Sequence, residues 1–113
     1  MADIEREPIV QDQLNSDRCS RYLKALGDPE RLRIIQCLRD GPKTVSDISR
    51  RVESAVPNVS HHLKQLRLAG LVLNRRQGRT VSYRLSPAIV SGEGQSPLKT
   101  LDFGCCRLQL GKE

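Results

Sequence analysis

The sequence predicts a small α+β domain in which helices predominate. Its 113 residues suffice for one domain. Apolar residues make up 37% of the chain and charged residues 28%, as is typical of a globular protein. Apolar side chains recur with helical spacing as far as Ala69, and after Gly70 they alternate in the manner of strands. This change of period separates a helical part from a β-hairpin.

Start and stop signals divide the helical part into an arm and four helices. Residues 1–15 are polar and lack a period, so we expect a flexible N-terminal arm. Asp28 before Pro29 is typical of a helix N-cap with proline at the first helical position. Thr44, three residues before Asp47, resembles a capping box. The predicted helices begin at Ser16, Pro29, Thr44 and Pro57, and they end before Gly27, before Gly41, at Val52 and at Ala69.

A β-hairpin is predicted after Gly70. Residues 71–75 and 80–85 have strand-like alternation, and residues 76–79 between them are typical of a turn. The hairpin ends at Ser86, which precedes a proline.

The remaining tail is compatible with two structures. Residues 91–97 are rich in turn formers and are predicted to be a linker. The leucines and Cys105 within residues 98–110 have helical spacing, whereas Leu101, Phe103 and Cys105 alternate like a strand. Gly104 weakens a helix by about 1 kcal/mol relative to alanine, which favours the strand.

The excess positive charge is concentrated in one segment. The net charge is +6, and residues 1–53 and 93–113 are each balanced. Residues 54–92 contain no acidic residue. Their basic residues are Lys64, Arg67, Arg75, Arg76, Arg79 and Arg84. A one-sided basic segment favours a polyanionic partner, most commonly nucleic acid, over an ordinary solvated surface.

Composition excludes several classes of protein. Three aromatic residues are too few for folds that stack bases on aromatic rings. No apolar run approaches the ~18 residues of a membrane span, and the N-terminal residues lack the apolar core of a signal peptide. The four cysteines match neither a disulfide framework nor a zinc-finger spacing. We therefore expect a cytoplasmic protein with reduced thiols and no membrane partner.

The predicted elements outline a winged helix-turn-helix. Two short helices, of which the second is basic, precede a basic hairpin. A helix fits the major groove of double-stranded DNA, where base edges are distinguishable. The arginines of an adjacent hairpin can contact the DNA backbone or the minor groove. The expected fold is therefore mainly α, with a β-hairpin wing.

Three motifs carry a resemblance to a known family. They are LGDPERLRI at residues 26–34, VSHHLKQLRLAGLV at 59–72 and RQGRTVSYRL at 76–85. In this order they strongly resemble the ArsR/SmtB family of bacterial metal-sensing repressors, over roughly residues 17–86. The resemblance implies a homodimeric winged-helix repressor that binds operator DNA and leaves it when an inducer binds.

The resemblance places the recognition helix at 57–69 and the wing at 75–80. Asn58, His61 and Gln65 can address base edges, whereas Ser60 and Lys64 suit phosphates. Two roles are open for His62, packing within the helix-turn-helix or contact with a phosphate. The predicted DNA-contacting residues are Thr44, Pro57, Asn58, Ser60, His61, His62, Lys64, Gln65, Arg75, Arg76, Arg79 and Thr80.

The sequence departs from the family at its best-known sensor sites. Residues 44–46 are Thr-Val-Ser, where many arsenic-sensing members have Cys-Val-Cys. No histidine follows His62, so the histidine-containing C-terminal site of zinc sensors is absent as well. Zinc and nickel are therefore not the expected inducers, and no cofactor is required.

Cysteine thiols are the remaining sensing groups. Soft thiolates favour As(III) and other thiophilic metals or metalloids. We predict a site at Cys105 and Cys106 that is completed by Cys19 of either protomer, whereas Cys37 is expected to be a buried apolar residue. A redox switch at the Cys105–Cys106 pair is the alternative. Because a disulfide between adjacent residues is strained, sulfenylation or an intersubunit bridge is expected there first.

The expected organisation has three parts. Residues 1–15 form the arm, 16–86 the winged-helix DNA-binding domain, and 87–113 a linker and cysteine-containing segment for dimer contact and sensing. A winged helix that binds only protein is a rival interpretation, which the unpaired basic segment disfavours. An enzyme is the least supported, because the sequence places no nucleophile beside a base.

Overall fold

Four helices build the larger part of the protein. The computed structural model describes residues 6–91 and 99–111. Helices α2, α3 and α4 pack against one another, and α1 contacts both α2 and α4. The helices are α1 (Arg6–Leu26), α2 (Pro29–Cys37), α3 (Val45–Val52) and α4 (Val56–Leu68).

The first helix is longer than the sequence predicted. It begins at Arg6, so residues 6–15 are helical rather than a flexible arm, while residues 1–5 lie outside the described residues. Polarity without a period does not exclude a helix, because Glu and Gln are good helix formers. Pro8 lies in the first turn, where proline is tolerated. The helix ends before Gly27, as predicted.

Capping side chains start α2 and α3 at the predicted positions. Asp28 Oδ1 accepts hydrogen bonds from the backbone N–H groups of Glu30, at 2.8 Å, and Arg31, at 3.1 Å. Thr44 Oγ1 accepts a hydrogen bond from the backbone N–H of Asp47 at 3.2 Å. These bonds satisfy N–H groups that have no partner within their helices.

The turn between α3 and α4 depends on one left-handed residue. Glu53 follows α3 with φ 56° and ψ 51°. Its backbone N–H and that of Ser54 both donate to the carbonyl oxygen of Ser49. The turn is therefore short, and α4 crosses α3 as the second helix of a helix-turn-helix.

A three-stranded antiparallel sheet contains the predicted hairpin. Its strands are β1 (Lys43–Thr44), β2 (Val72–Gln77) and β3 (Thr80–Leu85), in the order β1-β3-β2. Only Gly78 and Arg79 connect β2 to β3, a tighter turn than the predicted one at 76–79. Gly78 has φ 63°, which glycine adopts without strain.

The C-terminal tail is extended, as its alternation predicted. Strands β4 (Val90–Ser91), β5 (Lys99–Asp102) and β6 (Arg107–Leu110) form a second antiparallel sheet in that order. Residues 92–97 of the predicted linker lie outside the described part of the chain. Leu101 and Phe103 are buried, which agrees with the period of a strand.

One hydrophobic core joins the helices to both sheets. Leu101 and Phe103 of the tail belong to the same cluster as the helical residues. None of the helices in the described ranges combines the length and apolarity needed to cross a membrane. The largest fully buried side chains are Ile34, Ile35, Leu38, Ile48, Leu63, Leu66, Leu71 and Leu101, with Val59 and Val72 beside them.

Replacement of the left-handed residue is expected to stabilise the fold. Glu53→Gly should raise the free energy of unfolding by about 0.5–1 kcal/mol. A side chain with a Cβ is strained at this φ, and the extra freedom of glycine in the unfolded chain cancels only part of the gain. Urea denaturation measures the difference. Glu53→Ala is the matched control, because it removes the same charge but keeps the Cβ. Equal stability of the two variants would contradict the assignment of strain.

Candidate DNA-binding surface and thiol site

Helix α4 buries one face and exposes the other. Val59, Leu63 and Leu66 are each 0% exposed, and their spacing turns the opposite face outward. The outward face is free of acidic residues. It carries six of the predicted DNA-contacting residues, all exposed, namely Pro57, Asn58, Ser60, His61, Lys64 and Gln65.

His62 differs from the other predicted contacts, because it lies on the inner edge of α4. Its side chain is only 14% exposed, and Nε2 lies 3.2 Å from Glu30 Oε1. The other ring nitrogen, Nδ1, lies 3.3 Å from Arg31 Nη1. Position 62 is three residues after Val59 and four before Leu66, which turns it towards α2. The structure thus gives the His62 ring packing contacts with α2, one of the two roles left open by the sequence, and its contact with DNA stays a prediction.

Thr44 is also engaged within the fold. Its hydroxyl caps α3, and its backbone pairs with Ser82 in the first sheet. The sequence predicted both the cap and a contact of Thr44 with DNA. The structure gives the side chain a structural role, and its half-buried position leaves part of it at the surface.

The hairpin presents its arginines on two faces. Arg75 pairs with Ser82 and Arg84 pairs with Leu73, so the two arginines share one face of the hairpin, whereas Arg76 lies on the other. Arg79, in the turn, and Thr80, at the start of β3, are exposed at the tip. Residue identity alone does not distinguish these arginines. Strand register separates Arg76 from Arg75 and Arg84.

The basic segment keeps its positive charge uncompensated. None of its six lysine and arginine side chains forms an ion pair with any residue that the structure describes. The ion pairs of the described ranges are Arg39–Asp40, Arg50–Asp47, His62–Glu30 and Arg107–Asp102. The outer face of α4 and the hairpin follow each other in the sequence. Together they give this segment a positive electrostatic potential.

Three cysteines meet where α1 packs against the tail. The Sγ atoms of Cys19, Cys105 and Cys106 all lie within 4.8 Å of one another. Cys19 is 2% exposed on α1, whereas Cys105 and Cys106 are exposed in the turn between β5 and β6. The structure thus brings together, within one chain, the sulfur atoms of the three cysteines that the sequence singled out.

Aromatic stacking and a tight turn position these sulfur atoms. The rings of Tyr22 and Phe103 are stacked, with centroids 4.7 Å apart, and hold the tail on α1. The Phe103 N–H donates a hydrogen bond to the Cys106 carbonyl at 3.0 Å, which closes the turn. The Phe103 carbonyl oxygen lies 3.3 Å from Cys19 Sγ. Tyr22 lies one turn of α1 from Cys19, so the stacking places the tail cysteines over that thiol.

The structure corrects the prediction about disulfides. Cys19 and Cys105 are joined by a disulfide, with their Cα atoms 6.4 Å apart, within the usual range. The sequence predicted no disulfide framework, and it placed any oxidation at the Cys105–Cys106 pair. The bonded residues are 86 positions apart, so local spacing carries no signal of their pairing. Only the packing of the tail on α1 brings them together.

The fourth cysteine is separate from this cluster. Cys37 is partly buried in α2, against the hydrophobic core. Burial raises the pKa of its thiol. Because the thiolate is the form that binds metal, a raised pKa disfavours Cys37 as a ligand. Its position agrees with the apolar role predicted for it.

Comparison with known proteins gives consistent matches. Residues 28–73 match the family described as "Bacterial regulatory protein, arsR family". The chain is 43% identical over 70 residues to the arsenical resistance operon repressor of Escherichia coli (strain K12), a match that covers 61% of this chain and 60% of that protein. It is 39% identical over 78 residues to the transcriptional activator HlyU of Vibrio cholerae, covering 69% of this chain and 72% of that protein.

Solved structures agree with the winged-helix fold. Reduced HlyU from Vibrio cholerae gives a TM-score of 0.64 at 37% identity, covering 67% of this chain and 80% of that chain. The homodimeric winged helix-turn-helix DNA-binding domain of a Mycobacterium bovis protein gives a TM-score of 0.62 at 28% identity, covering 78% of each chain.

These matches extend beyond the helix-turn-helix, although they do not cover whole relatives. The chain spans about three fifths of the length of two curated relatives, the regulator KmtR of Mycobacterium tuberculosis and the Escherichia coli repressor. It covers 72% of HlyU. The predicted winged helix-turn-helix is confirmed, and the chain belongs to the ArsR family of bacterial regulatory proteins.

Proposed function

We propose that this chain is a homodimeric, cytoplasmic transcriptional repressor that releases its operator DNA when a thiophilic metalloid, As(III) in particular, binds Cys19, Cys105 and Cys106. The observation that carries the proposal is the approach of these three Sγ atoms to within 4.8 Å. Trivalent arsenic takes three sulfur ligands, and thiolates suit soft ions. The name of the Escherichia coli relative, an arsenical resistance operon repressor, supports the same inducer class.

The outer face of α4 and the hairpin are the proposed DNA-binding surface. Asn58 and Gln65 are exposed amides of the kind that form paired hydrogen bonds with adenine. Ser60 and Lys64 lie between them and suit phosphates. The hairpin arginines extend the positive surface beyond the helix, where the backbone or the minor groove would be met. No residue that the structure describes forms an ion pair with these side chains, which leaves them available for phosphates.

The exposed side of α1 is the proposed dimer contact. Leu23 is 49% exposed there, one helical turn from Cys19. A cleft of about 430 Å³ beside it is lined by residues of α1 and by Cys105. The homodimeric Mycobacterium bovis domain supports a twofold assembly. Such a dimer would present two recognition helices to half-sites one turn of DNA apart.

The proposed binding step is a ligand exchange without electron transfer. Arsenous acid, As(OH)3, and three thiols give the arsenic trithiolate and three water molecules. All three sulfurs must be reduced, because a disulfide sulfur has no proton to lose and no thiolate to offer. The bound arsenic would link α1 to the β5–β6 turn. This link is the structural change that would act on the rest of the protein.

Loss of hairpin arginines is expected to weaken DNA binding in a salt-dependent way. For Arg75→Ala and Arg79→Ala, the slope of log K against log salt concentration should decrease by roughly one for each phosphate contact removed. Fluorescence anisotropy with a duplex selected by the wild-type protein from a random library measures the slope. Arg107→Ala, which removes an arginine of β6 outside the basic segment, is the control. If the variant that carries both substitutions keeps the wild-type slope of log K against log salt concentration, the hairpin is excluded from the DNA interface.

Arsenite is expected to bind the reduced protein with one ion per protomer and to weaken DNA binding at least tenfold, a coupling typical of allosteric regulators. Near-ultraviolet absorption of the As–S bonds and anisotropy measure the two effects. Cys19→Ser, Cys105→Ser and Cys106→Ser should each abolish the response, because each removes one of three ligands. Cys37→Ser is the matched control and should respond like the wild type. Equal responses in all four variants would refute the site.

A redox-sensing repressor is a second candidate, favoured by the Cys19–Cys105 disulfide. A hydroperoxide would oxidise the two thiols, and the products are the disulfide, an alcohol and water. The two electrons pass from the sulfurs to the peroxide oxygens. This pairing differs from the adjacent pair considered for oxidation on sequence grounds.

Cys106→Ser is expected to distinguish the two candidates. It leaves Cys19 and Cys105 intact, so hydroperoxide should still form the disulfide, while the arsenite response is lost. If hydroperoxide releases DNA from the wild type and from this variant, and arsenite releases it from neither, the protein is a redox sensor. Release of DNA by arsenite from the wild type alone identifies the metalloid sensor. Free-thiol counting confirms the oxidation state in each case.

A further inference from the structure

Arg31 connects the end of α1 to the recognition helix. Its Nε donates a hydrogen bond to the carbonyl oxygen of Ala25, in the last turn of α1. Its Nη1 lies 3.3 Å from Nδ1 of His62 on α4. A guanidinium is planar and rigid, so one side chain fixes the distance between these two partners. The backbone N–H of Arg31 is itself held by Asp28, the cap of α2.

The contacts of His62 define one protonation pattern for its ring. Arg31 can only donate, so His62 Nδ1 must accept. In the tautomer that satisfies both contacts, Nε2–H donates a hydrogen bond to Glu30 Oε1 at 3.2 Å. The other carboxylate oxygen, Oε2, is buried and has no hydrogen-bond partner among the described residues. The imidazole is thus held from both sides, and its orientation is tied to that of α4.

Asp28 strengthens the anchored end of this arrangement. The pKa of its carboxyl is lowered, chiefly by the hydrogen bond from the Arg31 backbone, with a further contribution from the Glu30 backbone. The carboxylate is therefore ionised in the folded protein at neutral pH. The backbone of Arg31 is therefore held in place. The position of its side chain consequently depends on the position of the Ala25 carbonyl.

The other end of the connection leads towards the thiols. Cys19 and Ala25 are six residues apart on one continuous helix, about 9 Å along its axis. Tyr22 lies between them and stacks on Phe103 of the tail. A change in how the tail is tied to α1 therefore acts on the same rigid element whose last turn contacts Arg31.

We infer that Ala25, Arg31 and His62 form a polar relay that orients the recognition helix and couples the state of the Cys19–Cys105–Cys106 cluster to DNA binding. The inference rests on the proposed function. Arg31 and His62 are positioning residues in this relay, because they act through their contacts with α1, α2 and α4. Movement of α1 on ligation displaces the Ala25 carbonyl, Arg31 follows, and His62 turns α4 away from its DNA-binding orientation.

Arg31→Lys tests the relay. Lysine keeps the charge but cannot bridge the Ala25 carbonyl and the His62 ring with one planar group. We expect weaker DNA binding without arsenite, and a ratio of dissociation constants with and without arsenite that is at least fivefold smaller than in the wild type. Arg33→Lys, an exposed position on the same helix, is the matched control and should keep the wild-type ratio. Arsenite binding and the melting temperature are measured for each variant.

The readout separates coupling from structure. A merely structural role for Arg31 would lower the melting temperature or weaken DNA binding equally in both states, leaving the ratio unchanged. An unchanged ratio in Arg31→Lys, with arsenite still bound, overturns the relay. If the wild type itself fails to bind DNA or to respond to arsenite, the proposed function fails instead, whatever the variants do.

A measurement on the unmodified protein guards against a variant that does not fold. In the wild type labelled with ¹⁵N-histidine, the relay predicts that arsenite changes the Nδ1 and Nε2 chemical shifts of His62, because its bond with Arg31 is altered. The exposed His61 is the internal reference. Shifts of His62 that stay constant while arsenite binds and DNA binding changes would overturn the inference.

Discussion

The burial of one face of α4 determines which side chains of this protein can meet another molecule. Val59, Leu63 and Leu66 are completely excluded from water, and every other position on the helix follows from them. Burial of each such side chain contributes roughly 1.5–3 kcal/mol, far more than a surface charge contributes through one contact. The core therefore determines the rotation of α4 about its axis, and the polar residues of the helix lie on the face that the core does not bury. The same rotation puts His62 at the inner edge, where it meets α2 rather than solvent.

A second set of contacts decides where the thiols are. The stack of Tyr22 on Phe103 and the short turn after β5 place Cys105 and Cys106 against a buried position of α1. Neither tail cysteine is buried itself, so the cluster is open on one side and closed by Cys19 on the other. A group bound there would contact solvent and the core of the domain at once. This placement distinguishes the cluster from the site that the family motif at residues 44–46 would occupy, where hydroxyls stand in this chain.

Local chemistry made much of this structure predictable from sequence. The caps at Asp28 and Thr44 and the change of period at Gly70 mark element starts with short-range signals, and the structure has each of them. Residues 6–15 were not predictable as helix, because an absence of apolar periodicity removes the main signal without removing helix propensity. The Cys19–Cys105 bond was unpredictable for a different reason. Its partners meet only through tertiary packing, which leaves no trace in the spacing of cysteines along the chain. His62 lies between these cases, since its spacing from Val59 and Leu66 already indicated the buried side.

The Cys19–Cys105 bond also changes the topology of the molecule. It closes a loop across 86 residues, and α2, α3, α4 and the hairpin all lie inside that loop. Restricting the unfolded chain in a ring of this size favours the folded state by on the order of 4 kcal/mol in the chain-entropy description. The oxidised and reduced proteins thus differ in durability as well as in chemistry. Because proteases act mainly on unfolded chains, the reduced protein would be degraded faster than the cross-linked one.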